Sequence, residues 1–124
     1  MRPRLQWTGV CLDCADADEL AAFYARLLGW EVTSTDGQGW VAMRAPDGGT
    51  DILLQAEAAY RPPVWPEEPG GQDKMLHFEI AVDDLDEAVA FAVDAGARVA
   101  DHQPQERVRV MLDPAGHPFC LFLD

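Results

Sequence analysis

DADELAAFYARLLGWEV, residues 16–32, comes back later in the chain as DLDEAVAFAVDAGARV, residues 84–99. Asp16, Glu19 and Phe23 correspond to Asp84, Glu87 and Phe91 at a constant offset of 68 residues. Gly29 and Val32 correspond to Gly96 and Val99 at 67, so the second copy has lost one residue inside its helix. Further on, Pro46 and Gly48 of APDGG match Pro114 and Gly116 of DPAGH, again at 68. Two copies of one supersecondary unit are the leading reading, because such a unit does not bury its apolar face alone.

Each copy reads as β-α-β-β-β. Strand-like segments run over Leu5–Asp13, Trp30–Ser34, Gly39–Arg44 and Asp51–Gln55, with a helix over Ala17–Leu28. The second half repeats the order, with strands over Met75–Val82, Arg98–His102, Arg107–Leu112 and Phe119–Leu123 and a helix over Leu85–Ala95. Both helices open on an acidic N-cap with a glutamate three residues on, and both end in glycine, the residue suited to a left-handed C-cap. Between the copies, AEAAYRPPVWPEEPGGQDK is too rich in Pro, Glu and Gly to continue either element. Its Tyr60 and Trp65 suit a loop pinned to the surface of the body, with a partial lid as the alternative. The expected organisation is one α+β domain, with module 1 at about 5–57, a connector at 58–74 and module 2 at 75–124.

The 124 residues are 48% hydrophobic, enough for one packed domain. No apolar run approaches the ~20 residues of a membrane span, and no signal-peptide core follows the N-terminal arginines, so a cytoplasmic protein is expected. The net charge of −13 argues against nucleic acid as a partner and is read first as an acidic, solubilising surface. Three cysteines suit reduced thiols better than a disulfide framework. Cys11 and Cys14 form a C-x-x-C string, but on a strand positions three apart face opposite ways, which disfavours metal or redox chemistry there.

The segments D-x-x-E-L-A-A-F-Y-x-x-L-L-G-W-E-V at 16–32, L-H-F-E-I-A-V-D-D-L-D-E-A at 76–88 and D-P-A-G-H-P-F-C-L-F at 113–122 together resemble the vicinal oxygen chelate superfamily. This is the glyoxalase/bleomycin-resistance/extradiol-dioxygenase group, and the likeness is to its glyoxalase-like branch. The resemblance implies paired βαβββ modules whose strands form a curved eight-stranded mixed sheet around a cup, commonly in a homodimer, with a divalent metal in catalytic members. It also implies ligand positions on the first and last strands of each module, which fall here on Gly9 and Ile52, then His77 and Cys120. Glycine and isoleucine carry no donor, and Cys120 stands where a glutamate is normally found. No cofactor is therefore expected, and Zn, Ni, Fe or Mn is a minor alternative that would use His77 and Cys120.

Strand alternation then nominates the cup lining. Trp7, Gly9 and Cys11 on the first strand are expected to face the cup, as are His77 and Glu79 on its twin. The last strands contribute Ile52 and Leu54, then Cys120 and Phe122. With Val41, Met43, Val108 and Val110 assigned to the helix side, Trp40, Ala42, Arg44, Arg107, Arg109 and Met111 fall on the cup side. The candidate ligand-binding set is Trp7, Cys11, Trp40, Arg44, Leu54, His77, Glu79, Arg109, Cys120 and Phe122, with His77 and Glu79 as candidate base and acid. His77 also reads as a satisfied core histidine, Cys120 as a small buried hydrophobe, and His117 as a turn residue. The leading function is a small-molecule-binding module that lacks the full family metal site. A superfamily lyase, isomerase or dioxygenase, with or without metal, and an interaction domain with a filled cup are the alternatives.

Overall fold

The computed structural model describes all 124 residues. The chain divides into two compact units, Met1–Ala58 and Ala59–Asp124, so the connector groups with the second unit. In the first unit the order is β1 (Gly9–Cys14), α1 (Ala17–Leu28), β2 (Ser34–Thr35), β3 (Trp40–Met43) and β4 (Asp51–Ala56). In the second it is β5 (Phe78–Val82), α2 (Leu85–Ala95), β6 (Arg98–Val99), β7 (Val108–Leu112) and β8 (Pro118–Leu123). The helices fall on the predicted residues, whereas several strands are shorter than predicted. Hydrogen bonding groups the strands into two four-stranded sheets, β1-β4-β3-β2 and β5-β8-β7-β6, and not into one eight-stranded ladder. In each, the first strand runs parallel to the last and the remaining pairs are antiparallel. No helix is long and apolar enough to cross a membrane.

The helix ends follow directly from the repeated motif. Asp16 and Asp84 are extended, and each Oδ1 accepts the backbone N–H three residues on, from Glu19 and Glu87, at 3.0 Å. That satisfies one otherwise orphaned donor per helix and is worth about 1 kcal/mol each. Gly29 closes α1 in the left-handed region at φ 71° and donates to the Ala25 carbonyl. The twelve residues of α1 against eleven of α2 are the residue lost between the copies.

In the first unit, α1 buries Leu20, Ala21, Phe23 and Tyr24. These spacings of three and four form one helical stripe, which packs on the sheet face that carries Leu12, Val41, Met43, Ile52 and Leu54. Each such large side chain contributes roughly 1.5–3 kcal/mol by leaving water. Ile52 and Leu54 therefore lie on the helix side and not in a cup lining. Register decides this: Leu54 sits opposite Leu12 and Val41, and Ile52 opposite Val10 and Met43. The turn before β8 is one residue shorter than the turn before β4, so the counterpart of Cys120 is Leu53. A slip of one residue exchanges the two faces of a strand.

In the second unit, Phe78 and Ile80 pair with Phe119 and Leu121 on the face toward α2. Here too an expected face is reversed. Met111 is opposite Phe119 and fully buried, and Arg109 is opposite Leu121, so both lie on the helix-side face. Val108 and Val110 instead share the face of Phe122 and Cys120. The β-branched valines were poor guides because both faces of β7 carry apolar residues. The repeated phenylalanines also diverge, for Phe23 is fully buried whereas Phe91 is 57% exposed.

Candidate functional site

The face of β5 and β8 turned away from α2 gathers the polar residues. His77 and Glu79 are two apart along the chain and so project to one side, and Glu79 is the register partner of Cys120. His77 Nε2 lies 2.9 Å from Glu79 Oε2, and the donor atoms of His77, Glu79 and Cys120 all fall within 4.8 Å of one another. The imidazole and carboxylate remain 39% and 51% exposed, and the thiol is half-buried. Burial, reinforced by the hydrogen bond to Glu79 and by its charge, pushes the Cys120 thiol up to about 12; the Lys74 ammonium pulls it the other way. This is a protonated, hydrogen-bonding thiol rather than a nucleophile. Val108 and Phe122 flank the group as partly exposed apolar neighbours on the same face.

The connector is fastened to this unit by its aromatics. The Tyr60 hydroxyl donates to the Ala115 carbonyl at 2.8 Å and lies 3.3 Å from His117 Nε2. His117 Nδ1 is 2.8 Å from Asp113 Oδ2, while Asp113 Oδ1 accepts the Ala115 and His117 backbone N–H groups at 2.9 Å. Asp113 is the buried anchor of the β7–β8 turn, and His117 is a turn residue with a structural partner. Trp65 Nε1 donates to the His102 carbonyl at 3.2 Å, and the Lys74 ammonium pairs with Glu67 and lies 5.2 Å from the Trp65 ring centroid.

The other nominated residues are dispersed. In the first unit Cys11 and Trp40 lie on the sheet face away from α1; Cys11 is exposed, and burial together with nearby Asp13 and Glu57 raises its thiol. Cys14, three residues on, is fully buried on the opposite face. Trp7 precedes β1 and donates to the Thr50 hydroxyl, and Arg44 is exposed past the end of β3. Leu54 belongs to the helix-side core. In the second unit the Arg109 guanidinium donates to the carbonyls of Glu106 and Val108 at 2.9 Å, which occupies it with its own loop. The position equivalent to His77 is Gly9, where a Cβ would come within 2.6 Å of the Asp51 carbonyl oxygen. No side chain fits there without moving β4. Lys74, the chain's single lysine, was not nominated from the sequence, and its charge acts on the Cys120 thiol.

Of the positions that the resemblance nominated, the first unit supplies Gly9 and, by register, Leu53 in place of Ile52, and the second supplies His77 and Cys120. Gly9 and Leu53 offer no side-chain donor. Within the second unit, His77, Glu79 and Cys120 are a group whose donor atoms are close enough together to hold a metal ion.

The family model for the glyoxalase-like domain matches residues 9–122. No curated protein matches the sequence. Among solved structures, a glyoxalase/bleomycin resistance protein/dioxygenase family enzyme from Burkholderia phytofirmans PsJN has a TM-score of 0.65 at 20% identity, covering 92% of this chain and 94% of that one. A glyoxalase-related enzyme from Fulvimarina pelagi has a TM-score of 0.66 at 16% identity, covering 96% and 88%. TnmS3, an antibiotic binding protein from Streptomyces sp. CB03234, has a TM-score of 0.60 at 17% identity, covering 99% and 98%. At these identities the likeness concerns the fold. With a βαβββ unit in each half and a family match over nearly its whole length, the chain belongs to the glyoxalase-like domain family of the vicinal oxygen chelate superfamily.

Proposed function

We propose that this domain binds a small organic molecule on the exposed face of the β5–β8 sheet, with His77, Glu79 and Cys120 as its polar contacts and no bound metal. The observation that carries the reading is the half-exposed His77–Glu79 pair, 2.9 Å apart, beside the Cys120 thiol on a face otherwise lined by apolar residues. A few convergent polar groups on an apolar surface are the usual make-up of a small-molecule site. The thiol donates to Glu79 and the imidazole contacts it, so the group offers a directed hydrogen-bonding edge. The antibiotic-binding description of the Streptomyces neighbour supports the same class of use.

Proton transfer by His77, with Glu79 as its orienting partner, is the second reading, favoured by the same 2.9 Å contact. Thermal shift against a panel of antibiotics and aromatic metabolites tests the first, since a ligand of the native state raises apparent stability. The expected result is at least one stabilising compound whose effect is lost in His77→Ala and Glu79→Ala. No stabilising compound, or stoichiometric metal in protein purified without chelator that is lost in His77→Ala, would overturn it.

A further inference from the structure

Register sorts the charged side chains of the second unit by face. Glu79, opposite Cys120, lies on the face turned away from α2, with the pair Ala81 and Phe122 two residues further along the same strands. Arg109, opposite Leu121, lies on the other face and is committed to the carbonyls of Glu106 and Val108. Arg107, exposed just ahead of β7, alternates onto that same face as Arg109. Arg98 does share the face of Glu79 through its pairing with Leu112, but β6 is three strands from β5, about 14 Å at the usual strand spacing. Arg61 is hydrogen-bonded to Gln72, and Lys74, whose charge reaches Cys120, is itself paired with Glu67. The one ionic partner of Glu79 is the His77 imidazole, and the carboxylate is still 51% exposed. A carboxylate can accept about four hydrogen bonds, so Cys120 and His77 leave it with unused capacity.

Apolar surface adjoins this carboxylate. Positions two apart on a strand are about 7 Å apart, so Phe122 stands one such step from Cys120 and diagonal to Glu79. Its register partner on β5 is the exposed Ala81, which sets only a methyl group beside the ring, and Phe122 and Val108 are both partly exposed. A carboxylate with an aromatic ring one step away suits a cation, which gains from the charge and from the ring face together. Resting on the binding function proposed above, we propose that the ligands of this site are amphipathic organic cations, whose charged nitrogen pairs with Glu79 and whose apolar body lies over Phe122 and Val108. Cys120 and His77 hold the carboxylate in place for that contact. The net charge of −13 steers such ligands toward the protein, and Glu79 gives them a defined place on it.

The test titrates two related fluorescent dyes into the intact protein at neutral pH, Nile blue, which is a cation, and Nile red, which is uncharged. The wild type is expected to prefer Nile blue. Glu79→Gln keeps an accepting oxygen for Cys120 and His77 but removes the charge, and should weaken Nile blue about fivefold while leaving Nile red within about twofold. Glu79→Asp should keep the preference for the cation. Phe122→Ala removes the apolar bed and should weaken both dyes. Asp94→Asn neutralises an exposed acid on α2, across the sheet from the site, and should leave both dyes within about twofold. Attraction by the acidic surface as a whole predicts instead that Glu79→Gln and Asp94→Asn lower the affinity for Nile blue equally; that result overturns the proposal. Equal binding of both dyes by the wild type also overturns it while leaving the binding function standing. If neither dye binds, the compound panel decides: cationic hits lost in Glu79→Gln support the proposal, and hits that are all neutral or anionic overturn it. A panel without hits means that the binding function itself has failed.

Discussion

Asp113→Ala should be the most destabilising single change in the second unit, and its cost can be worked from the contacts. The carboxylate is 1% exposed and accepts from the Ala115 N–H, the His117 N–H and His117 Nδ1, all at 2.8–2.9 Å. Alanine leaves two turn amides without their acceptor, at about 1–3 kcal/mol each, and removes a charge-assisted bond to His117 worth about 1.5–3 kcal/mol. Relief from burying a carboxylate offsets part of this, so a net loss of about 3–5 kcal/mol is expected. Asp113→Asn keeps an oxygen for both amides and an isosteric partner for the imidazole, and should lose only about 1–2 kcal/mol. Urea unfolding read by Trp65 fluorescence reports on the correct unit, because Trp65 is its only tryptophan. If alanine and asparagine cost the same, or alanine costs under about 1 kcal/mol, the carboxylate does not hold the turn in the way described.

Three further outcomes follow from burial, register and charge. Cys120 should resist iodoacetamide until the pH approaches its thiol's value of about 12, and Glu79→Gln should accelerate its alkylation at pH 9, as read by peptide mass mapping. Because this thiol is raised in the folded state, its contribution to stability is present below the ordinary thiol range and fades as the pH climbs toward 12. Gly9→Ala places a Cβ 2.6 Å from the Asp51 carbonyl oxygen and should cost about 1–3 kcal/mol by forcing β1 and β4 apart, measured by urea unfolding. Phe23→Ala should cost about 3–5 kcal/mol and Phe91→Ala under about 1 kcal/mol in the same assay, despite their matched places in the repeat. Equal costs for the two would mean that the exposed phenylalanine is covered in solution.

What could be read in the sequence was local. Asp16, Glu19 and Gly29, with their twins Asp84, Glu87 and Gly96, fixed both helices because a cap acts within one turn of the chain. His77 and Glu79 were legible as neighbours for the same reason, since two residues on one strand must share a face. Leu54 was misplaced because facing depends on pairing across a turn. The offset of 68 that held through Gly48 and Gly116 becomes 67 at β4 and β8, and composition could not reveal that step. Arg109 was misplaced for a different cause, because β7 carries apolar residues on both faces, and its guanidinium is long enough to reach its own loop carbonyls. Lys74 escaped because the connector has no periodicity, and its place is set by a strained turn at Met75 and by tertiary contact with Trp65 and Glu67.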